Sequence, residues 1–247
     1  MANKEKRVIV SKGSSKVLYS LPQDDILLTE FRSEIAIDGK KVFKVKERPK
    51  IAAELQAFIY AYLETYQIPT HFFSQSGGEL LVKRLNIIPV EITVRNLASH
   101  SFAKRFKHFK SGQLLDFPIF EYLLKNEVGE SFVNDTHLYA LQILSPDDFR
   151  TMTRLASKID AVMKSFFERR GFTLVDITMK FGKHKGMIML GDEISPENIT
   201  VIDNTTDEEI SVVEARDSRE ASKQYQLVYD RIFPSLQRSA APPKRKA

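Results

Sequence analysis

The stretch Met187-Ile188-Met189-Leu190-Gly191-Asp192-Glu193-Ile194-Ser195-Pro196-Glu197 joins a short apolar strand directly to a turn that holds three carboxylates. Enzymes that use nucleotides commonly bind Mg²⁺ with carboxylates at the end of a buried strand, where the ion also contacts phosphate oxygens. An acidic surface turn is the alternative interpretation, and composition alone slightly favours it. The choice between a metal-binding turn and an acidic surface turn therefore depends on the rest of the sequence.

Upstream lies the clearest element of the sequence, a long amphipathic helix. It begins at Ser145-Pro146-Asp147-Asp148, where serine caps the helix, proline fits its first turn and the acids suit its positive end. Gly171 ends it. Its buried face is marked by Phe149, Met152, Leu155, Ile159, Met163, Phe166 and Phe167. Apolar segments at 172–181, 186–190 and 199–202 predict strands, and a last helix carries Ala221, Tyr225, Val228 and Ile232.

The N-terminal part of the chain reads mostly as strands. Apolar-rich runs at 7–10, 16–20 and 25–31 predict a meander, and Asp38-Gly39 predicts a two-residue hairpin turn. A helix follows Pro49 and stops before Pro69, and the segments 79–85 and 88–95 are predicted to pair as strands. Strands first, then strands mixed with long helices, predict an α+β fold of two lobes with a cleft between them.

These boundaries divide the chain into three predicted parts. An N-terminal antiparallel β lobe on the nucleotide-binding side covers residues 1–86, and a larger α+β lobe on the substrate and metal side covers 87–235. Residues 236–247 form a basic tail that we expect to be disordered and to which no role is assigned.

The composition excludes several kinds of site. The 247 residues contain no cysteine, which excludes disulfides, thiolate catalysis and Cys-based zinc or iron–sulfur sites. The five histidines lack ligand spacing, so any metal must be bound by oxygen, and Mg²⁺ is the expected ion. No apolar run approaches the ~20 residues that span a bilayer, and no secretory signal opens the sequence, so we expect a cytoplasmic protein without membrane contact. The net charge of +5 favours anionic partners, but the basic end contributes to it.

A glycine-containing turn, Lys12-Gly13-Ser14-Ser15-Lys16, lies between two predicted strands. Its backbone N–H groups and a lysine could bind a phosphate. The spacing is not that of a P-loop, and no helix follows. Taken alone, these residues are more simply a polar hairpin turn.

A second candidate is the strand end that carries Glu91 and Arg95. These residues are four apart in a predicted strand and therefore face the same side. Ser99, His100 and Ser101 follow, and hydroxyls beside an arginine suit phosphate recognition. A cross-strand ion pair on a solvated face is the alternative, and the residues alone leave both open. His100 by itself is more simply a polar loop residue than a base.

The run Lys104-Arg105-Phe106-Lys107-His108-Phe109-Lys110 interleaves bases with aromatic residues, a pattern that could follow single-stranded nucleic acid. A simpler interpretation takes Phe106 and Phe109, at i and i+3, as the buried side of a short basic helix. We therefore do not expect a nucleic-acid partner.

Taken together and in order, these segments resemble the SAICAR synthase family over most of the chain. The matching segments are Gly13 to Tyr19, Leu81 to Leu85, Pro89 to Glu91, Val94 to Asn96, Leu124 to Glu127, Val133-Asn134, Leu174 to Asp176, Phe181-Gly182 and Gly191 to Pro196. The last of these is the most specific. The resemblance implies the family's two-lobed α+β fold, with an ATP cleft between the lobes.

The resemblance also implies an activity. The family comprises ATP-dependent amide ligases of purine biosynthesis, which join a carboxyaminoimidazole ribonucleotide to L-aspartate with ATP and Mg²⁺. The reaction passes through an acyl phosphate that the aspartate amine attacks. The protein mainly positions the anionic ligands and neutralises charge that develops on the phosphoryl group. Members form dimers or larger assemblies, so a homo-oligomer is an expectation to test.

The resemblance implies roles for particular residues. The ATP side is assigned Gly13, Ser14, Ser15 and Lys16 in the glycine turn, with Lys83 to Glu91 in the adenine and hinge region. The catalytic side is assigned Arg95 and Ser101 on the imidazole ribonucleotide and Asp192 at the Mg²⁺ and ATP phosphates. Lys180 does not match the family, and it is expected to approach the phosphates directly if the chain is a working ligase with a divergent site.

Several ligands expected from the family are replaced. This chain has Ser14 where the family has a lysine, His100 where it has a glycine, Thr178 where it has a lysine, Lys180 where it has a glutamate and Thr200 where it has an arginine. Arg48-Pro49 replaces a Lys-Gly segment of the family. Residues 176, 178 and 180 point the same way from one strand, so two of the replacements face the region of Asp176. A lysine in place of a carboxylate near the metal reverses the local charge and should repel Mg²⁺.

These replacements leave two main hypotheses about function. The first is a working ligase with a divergent site, supported by the retained Lys16, Glu91, Arg95, Ser101 and Asp192. The second is a catalytically degenerate or repurposed paralogue that keeps the fold, with or without nucleotide binding. The ligase comes first because so ordered a resemblance usually carries related chemistry.

Overall fold

The computed structural model describes residues 7–22, 25–37, 41–76, 78–126 and 129–234. The predicted turn at Asp38-Gly39 and the predicted tail at 236–247 lie outside the described residues. Across the described ranges, no helix has both the length and the apolar character needed to cross a membrane.

Strands predominate in the first half of the chain, and the longest helix lies in the second half. The strands are β1 Val8–Lys12, β2 Lys16–Ser20, β3 Ile26–Phe31, β4 Glu34–Ile37, β5 Lys41–Lys44, β6 Phe72–Ser76, β7 Glu79–Lys83, β8 Asn86–Leu97, β9 Leu114–Asn126, β10 Gly129–Val133, β11 Phe172–His184, β12 Met187–Gly191, β13 Ile199–Asp203 and β14 Glu208–Ile210. The helices are α1 Arg48–Thr65, α2 His100–Arg105, α3 Asp135–Ala140, α4 Pro146–Glu168 and α5 Ser218–Ile232, with a 3₁₀ turn at Val212–Glu214.

The N-terminal sheet is antiparallel and has the strand order β1-β2-β3-β7-β6. Its inner face carries Leu27, Phe31, Leu80 and Val82, which pack against alanines of α1 in a small core. Its strands lie within residues 1–86, the range predicted for the N-terminal β lobe. Strands β4 and β5 pair separately as an antiparallel ladder, as expected of the two arms of a hairpin.

Helix α1 packs against both parts of the molecule. Pro49 lies in its first turn, where a missing N–H costs nothing. Ala52 and Ala53 face the small N-terminal core, whereas Ile51 and Leu55 belong to the main core. The helix therefore fixes the N-terminal sheet against the rest of the fold.

The second sheet is built around β8 and β11, in the order β10-β9-β8-β11-β13-β14, with β12 also paired to β11. Residues of β8 alternate between buried and partly exposed, so one face meets α4 and the other faces outward. Met152, Ile159 and Met163 of α4 are fully buried against it, and each contributes about 1.5–3 kcal/mol through burial. Helix α4 begins with the predicted Ser145 cap.

The end of α4 also agrees with the sequence-based expectation. Gly171 follows the helix with a φ of 75°, a conformation that favours glycine. The chain then enters β11, the strand that carries Asp176, Thr178 and Lys180. The cap and the glycine thus set where this strand begins.

The predicted pairing of the segments 79–85 and 88–95 is wrong. β7 pairs with β3 and β6 in the first sheet, whereas β8 pairs with β9 and β11 in the second. Only Arg84 and Leu85 separate the two strands, and Arg84 N donates to the carbonyl of Asp25 at 2.7 Å. A strand pairs with the partners that bury its apolar face, and these partners can lie far along the chain. Strands that are neighbours in sequence can therefore belong to different sheets. A cleft opens where they diverge.

Candidate functional site

The glycine turn, residues 12–16, closes the end of the β1–β2 hairpin. Gly13 N donates to the carbonyl of Lys16 at 2.9 Å, and Arg32 N donates to that of Ser15 at 2.8 Å. Gly13, Ser14, Ser15 and Lys16 form one wall of a cavity of about 330 Å³. The structure thus brings all four predicted ATP-side residues of the turn to one cavity.

The other walls of this cavity come from both sheets. Apolar side chains line its middle, namely Leu18, Leu27, Val82, Leu85 and Ile87, and Lys83 joins them. Lys180 and Asp192 border it, next to Lys16. An apolar section beside a charged one suits a ligand with a flat ring and an anionic tail.

A buried histidine completes the cavity wall. His71 lies beside Tyr60, with the rings edge to face at 5.4 Å. Burial, aided by the nearby charge of Lys16, lowers the pKa of His71 to about 3, so the imidazole stays neutral. Its Nε2 has no hydrogen-bond partner among the described residues. Sequence reasoning did not identify this residue.

Asp192 is held rigidly at the end of β12. Its backbone has a φ of 59°, in the left-handed region, and its carbonyl accepts from Gln56 Nε2 at 2.6 Å and Tyr60 OH at 3.1 Å. Its carboxylate lies between two ammonium groups, contacting Lys16 on Oδ1 and Lys180 on Oδ2, the latter at 2.6 Å. Such left-handed positions are concentrated at functional sites.

The two lysines dominate the electrostatics of this carboxylate. Burial disfavours the charged form of Asp192, but Lys16 and Lys180 outweigh it and hold its pKa well below the usual range. Burial likewise disfavours the ammonium of Lys180, yet Asp192 and Glu91 raise the pKa of Lys180 above its ordinary value. Asp192 and Lys180 are therefore charged at neutral pH.

The remaining carboxylates of the acid loop, residues 192–197, are bound by a buried arginine. Arg48 is completely buried and contacts Glu197 through Nε and Glu193 through Nη2, the latter at 3.0 Å. Its Nη1 donates to the carbonyls of Ser15 and Arg32, both at 2.8 Å. Arg48 thus joins the glycine turn to the acid loop. No local pattern around Arg48 indicates this role, because its partners lie far along the chain.

The strands β8 and β11 place three cross-strand residue pairs on one outward face. Lys180 is opposite Glu91, Thr178 opposite Thr93 and Asp176 opposite Arg95. At ~3.4 Å per residue, the first and last pairs are about 14 Å apart along the strand. The predicted shared side of 176, 178 and 180 is confirmed by this register.

Glu91 lies between two lysines and does not line the cavity. Its carboxylate contacts Lys180 at 3.1 Å and Lys125 at 3.0 Å. The nucleotide-side role assigned to Glu91 is therefore indirect in this geometry, since the residue touches the cavity only through Lys180.

Arg95 is surrounded by acids and hydroxyls. It contacts Glu121 and Asp176, each at 2.5 Å, and Ser99 Oγ at 3.0 Å. Ser101 Oγ lies 3.1 Å from Ser99 Oγ, so the two predicted ribonucleotide residues share one cluster. Burial raises the pKa of Asp176 in spite of Arg95. Glu121 was not anticipated, and it also contacts Arg105 at 2.5 Å.

The replaced positions are spread over several elements around the site. Thr178 hydrogen-bonds Thr93 across the strands at 2.8 Å, and Thr200 is buried opposite Asp176. His100 is exposed, and its backbone N–H donates to Glu209 at 3.1 Å. Ser14 lines the cavity. Ser14, Thr178 and Thr200 therefore lie at the site as uncharged hydroxyl groups.

The predicted buried side of the basic run is only partly right. Helix α2 ends at Arg105, so Phe106 is 42% exposed, and Phe102 takes the buried position instead. Phe109 packs against the small cluster of Ala98, Phe102 and Leu115. The aromatic rings therefore serve mainly as packing, and they do not form a row open to nucleic-acid bases.

A metal would have few ligands here. Among the residues that the structure describes, no group of three or more histidine or acidic side chains is arranged as a metal site. Glu193 and Glu197 bind Arg48, which leaves Asp192 as the acid-loop carboxylate bordering the cavity. Mg²⁺ is commonly bound by one or two carboxylates together with substrate phosphates. Asp192 therefore fits a metal that also contacts a nucleotide.

Comparisons with known proteins agree with this geometry. The sequence model described as "SAICAR synthetase" matches residues 9–232. Phosphoribosylaminoimidazole-succinocarboxamide synthase from Cellvibrio japonicus is 34% identical over 232 residues, covering 92% of this chain and 98% of that protein. A SAICAR synthetase (Type-2) structure in complex with ADP is 31% identical with a TM-score of 0.84, covering 92% of this chain and 98% of that one. The synthase structure from Ehrlichia chaffeensis is 27% identical with a TM-score of 0.85, covering 95% and 100%.

Proposed function

This chain belongs to the SAICAR synthetase family, the ATP-dependent ligases of purine biosynthesis, and we propose that it uses the cleft described above to join a carboxyaminoimidazole ribonucleotide to L-aspartate. The observation that carries the proposal is the single cavity bounded by the glycine turn, Lys16, Lys180 and Asp192. The ADP complex of a relative that covers most of this chain supports a nucleotide in it.

In this proposal the nucleotide enters with its ring between the apolar side chains. Leu27, Val82 and Ile87 contact the base, and the phosphates extend under the glycine turn toward Lys16 and Lys180. Two ammonium groups there neutralise the charge that moves onto the departing diphosphate. Mg²⁺, which Asp192 would hold against the phosphates, supplies further neutralisation when bound.

The ribonucleotide lies further along the face of β8 and β11. Arg95, Ser99 and Ser101 form its proposed phosphate contacts, while its carboxylate reaches toward Lys180, about 14 Å along the strand from Arg95. This separation suits a ligand with a phosphate at one end and a carboxylate at the other. The cluster around Arg95 therefore positions the acceptor, and Lys180 stands where phosphoryl transfer occurs.

The chemistry then takes two displacements. A carboxylate oxygen of the ribonucleotide attacks the terminal phosphorus, the bond to the bridging oxygen breaks, and ADP leaves with the electron pair. The uncharged amine of aspartate attacks the acyl carbon of the resulting acyl phosphate, and inorganic phosphate leaves as the amine loses a proton. The protein's part is alignment and charge neutralisation.

The experiment that tests this function is an ADP-release assay on the full chain with each substrate omitted in turn. We expect sustained ADP release, beyond one equivalent per chain, only when ribonucleotide, aspartate and ATP are all present, and a loss of this activity of at least about a hundredfold in Arg95→Met. ADP that binds without turnover would overturn the ligase and favour the degenerate paralogue. Absence of ADP binding would overturn the nucleotide site itself.

The degenerate-paralogue hypothesis has no specific observation in its favour. Lys16, Lys180 and Asp192 are charged and adjacent, and Arg95 and Ser101 share one cluster. A cytoplasmic location is part of the proposal, since the reaction consumes ATP. A homo-oligomer stays a prediction that sedimentation would test.

A further inference from the structure

Ammonium and carboxylate groups alternate across the charged end of the cavity. Lys16 contacts Asp192, which contacts Lys180 at 2.6 Å, and Lys180 contacts Glu91 at 3.1 Å. Glu91 in turn contacts Lys125 at 3.0 Å. Each carboxylate in this row therefore lies between two positive charges.

The other carboxylates of the acid loop also contact positive charges. Glu193 and Glu197 bind the buried Arg48, and Glu193 also lies 3.4 Å from Lys16. Both oxygens of Asp192 contact an ammonium group. A divalent cation approaching Asp192 would meet two positive charges at contact distance, and the repulsion is strong where solvent is largely excluded.

On the basis of the nucleotide site proposed above, we propose that Asp192 is an internal counter-anion of Lys16 and Lys180, so that the chain binds a divalent metal only together with a nucleotide, and then one per chain. When phosphates enter, both ammonium groups exchange the carboxylate of Asp192 for phosphate oxygens, which releases that carboxylate. Lys180 keeps its contact with Glu91 during this exchange and so keeps a second metal from the space between Glu91 and Asp192.

This assignment gives Lys180 two effects that can be separated. As a phosphate contact it strengthens nucleotide binding, and as a neighbour of Asp192 it blocks metal binding in the free chain. Its side chain is 34% exposed, so its removal leaves room for water and need not disturb the core. Lys125 offers a matched control, because it contacts Glu91 and Glu130 and has no contact with Asp192.

The test is Mn²⁺ binding to the full chain, measured by equilibrium dialysis and by the loss of the free-ion electron paramagnetic resonance signal. ADP is set equal on both sides of the membrane, so Mn²⁺–ADP in solution cancels. For the unaltered chain we expect no Mn²⁺ binding without ADP, and one ion per chain with it. Lys180→Gln should bind Mn²⁺ without ADP at least about tenfold more tightly, whereas Lys125→Gln should behave like the unaltered chain.

The outcomes separate this inference from the proposed function. Mn²⁺ binding to the unaltered chain without ADP, or two ions with ADP, would overturn the inference, and so would no gain in Lys180→Gln. Lys180→Thr serves as a second variant if the first does not fold by circular dichroism. ADP titration in EDTA tests the nucleotide site alone, so its failure would count against the proposed function and leave the metal-exclusion result standing.

Discussion

Arg48→Met removes the buried arginine that joins the glycine turn to the acid loop. The arginine is completely buried and contacts two carboxylates and two backbone carbonyls. Methionine fills a similar volume but leaves Glu193 and Glu197 without their main cation. Removing one partner of a buried ion pair costs about 3–5 kcal/mol. Domains of ordinary size are stable by only about 5–15 kcal/mol, so we expect a loss of about a fifth of the stability or more.

Urea unfolding at neutral pH measures this loss, with an unchanged slope required for a simple stability effect. Arg216→Met is the control for loss of a surface charge, because Arg216 is 87% exposed, precedes α5 and pairs with Glu220 in the first turn of that helix; we expect little change in the free energy of unfolding there. Adding Glu197→Gln to Arg48→Met should restore at least about 1 kcal/mol, since one unpaired charge disappears. A loss below about 1 kcal/mol for Arg48→Met would refute the reasoning.

Three further predictions concern the cavity and its surroundings. Lys16→Ala should weaken ADP binding by about 10- to 150-fold, the value of one charge-assisted hydrogen bond, measured by isothermal titration. Gly182→Ala should destabilise the chain by about 1–3 kcal/mol in urea unfolding, because an added Cβ would lie 2.8 Å from Leu85. His71 should make stability fall on acidification, because its folded pKa of about 3 lies below the unfolded value of about 6.5; between these values the slope approaches about 1.4 kcal/mol per pH unit.

Each of these predictions has its own control. Lys12→Ala changes a residue of the same turn that does not line the cavity, and should leave ADP affinity within about twofold. Gly78→Ala has open space around the added atom and should cost little. For the pH effect, His71→Gln should reduce the fall of the unfolding free energy with decreasing pH, and should leave its pH dependence unchanged above about 6.5, the pKa of histidine in the unfolded chain. If the unfolding free energies of the two chains depend on pH in parallel, His71 is not the group responsible.

Local elements of this fold could be predicted from the sequence because their signals lie within a few residues. The Ser145 cap, the apolar stripe of α4 and Gly171 are such signals, and the structure confirms the helix. Strand alternation was equally local, and it placed 176, 178 and 180 on one face. The resemblance to the family then supplied the arrangement of the lobes.

Long-range choices could not be predicted in the same way. Nothing near Arg84 shows that β7 and β8 belong to different sheets, because each finds partners far along the chain. Arg48 reads as an ordinary helix start, yet its carboxylate partners are 145 and 149 residues away. Glu121 lies in β9, a strand that the sequence did not indicate, and its pairing with Arg95 follows from that strand's position.

The charges of the site also explain why net charge said little about its ligands. Lys16 and Lys180 are compensated by Asp192, and Arg95 is compensated by Glu121 and Asp176. The free chain therefore presents neither a strongly positive cleft nor a row of vacant carboxylates. An anionic substrate must replace an internal carboxylate as the partner of each cation, so affinity depends on the difference between two sets of charge-assisted hydrogen bonds. Such an exchange favours ligands whose anionic groups match the spacing of the cations, and a simple anion that reaches only one of them gains little.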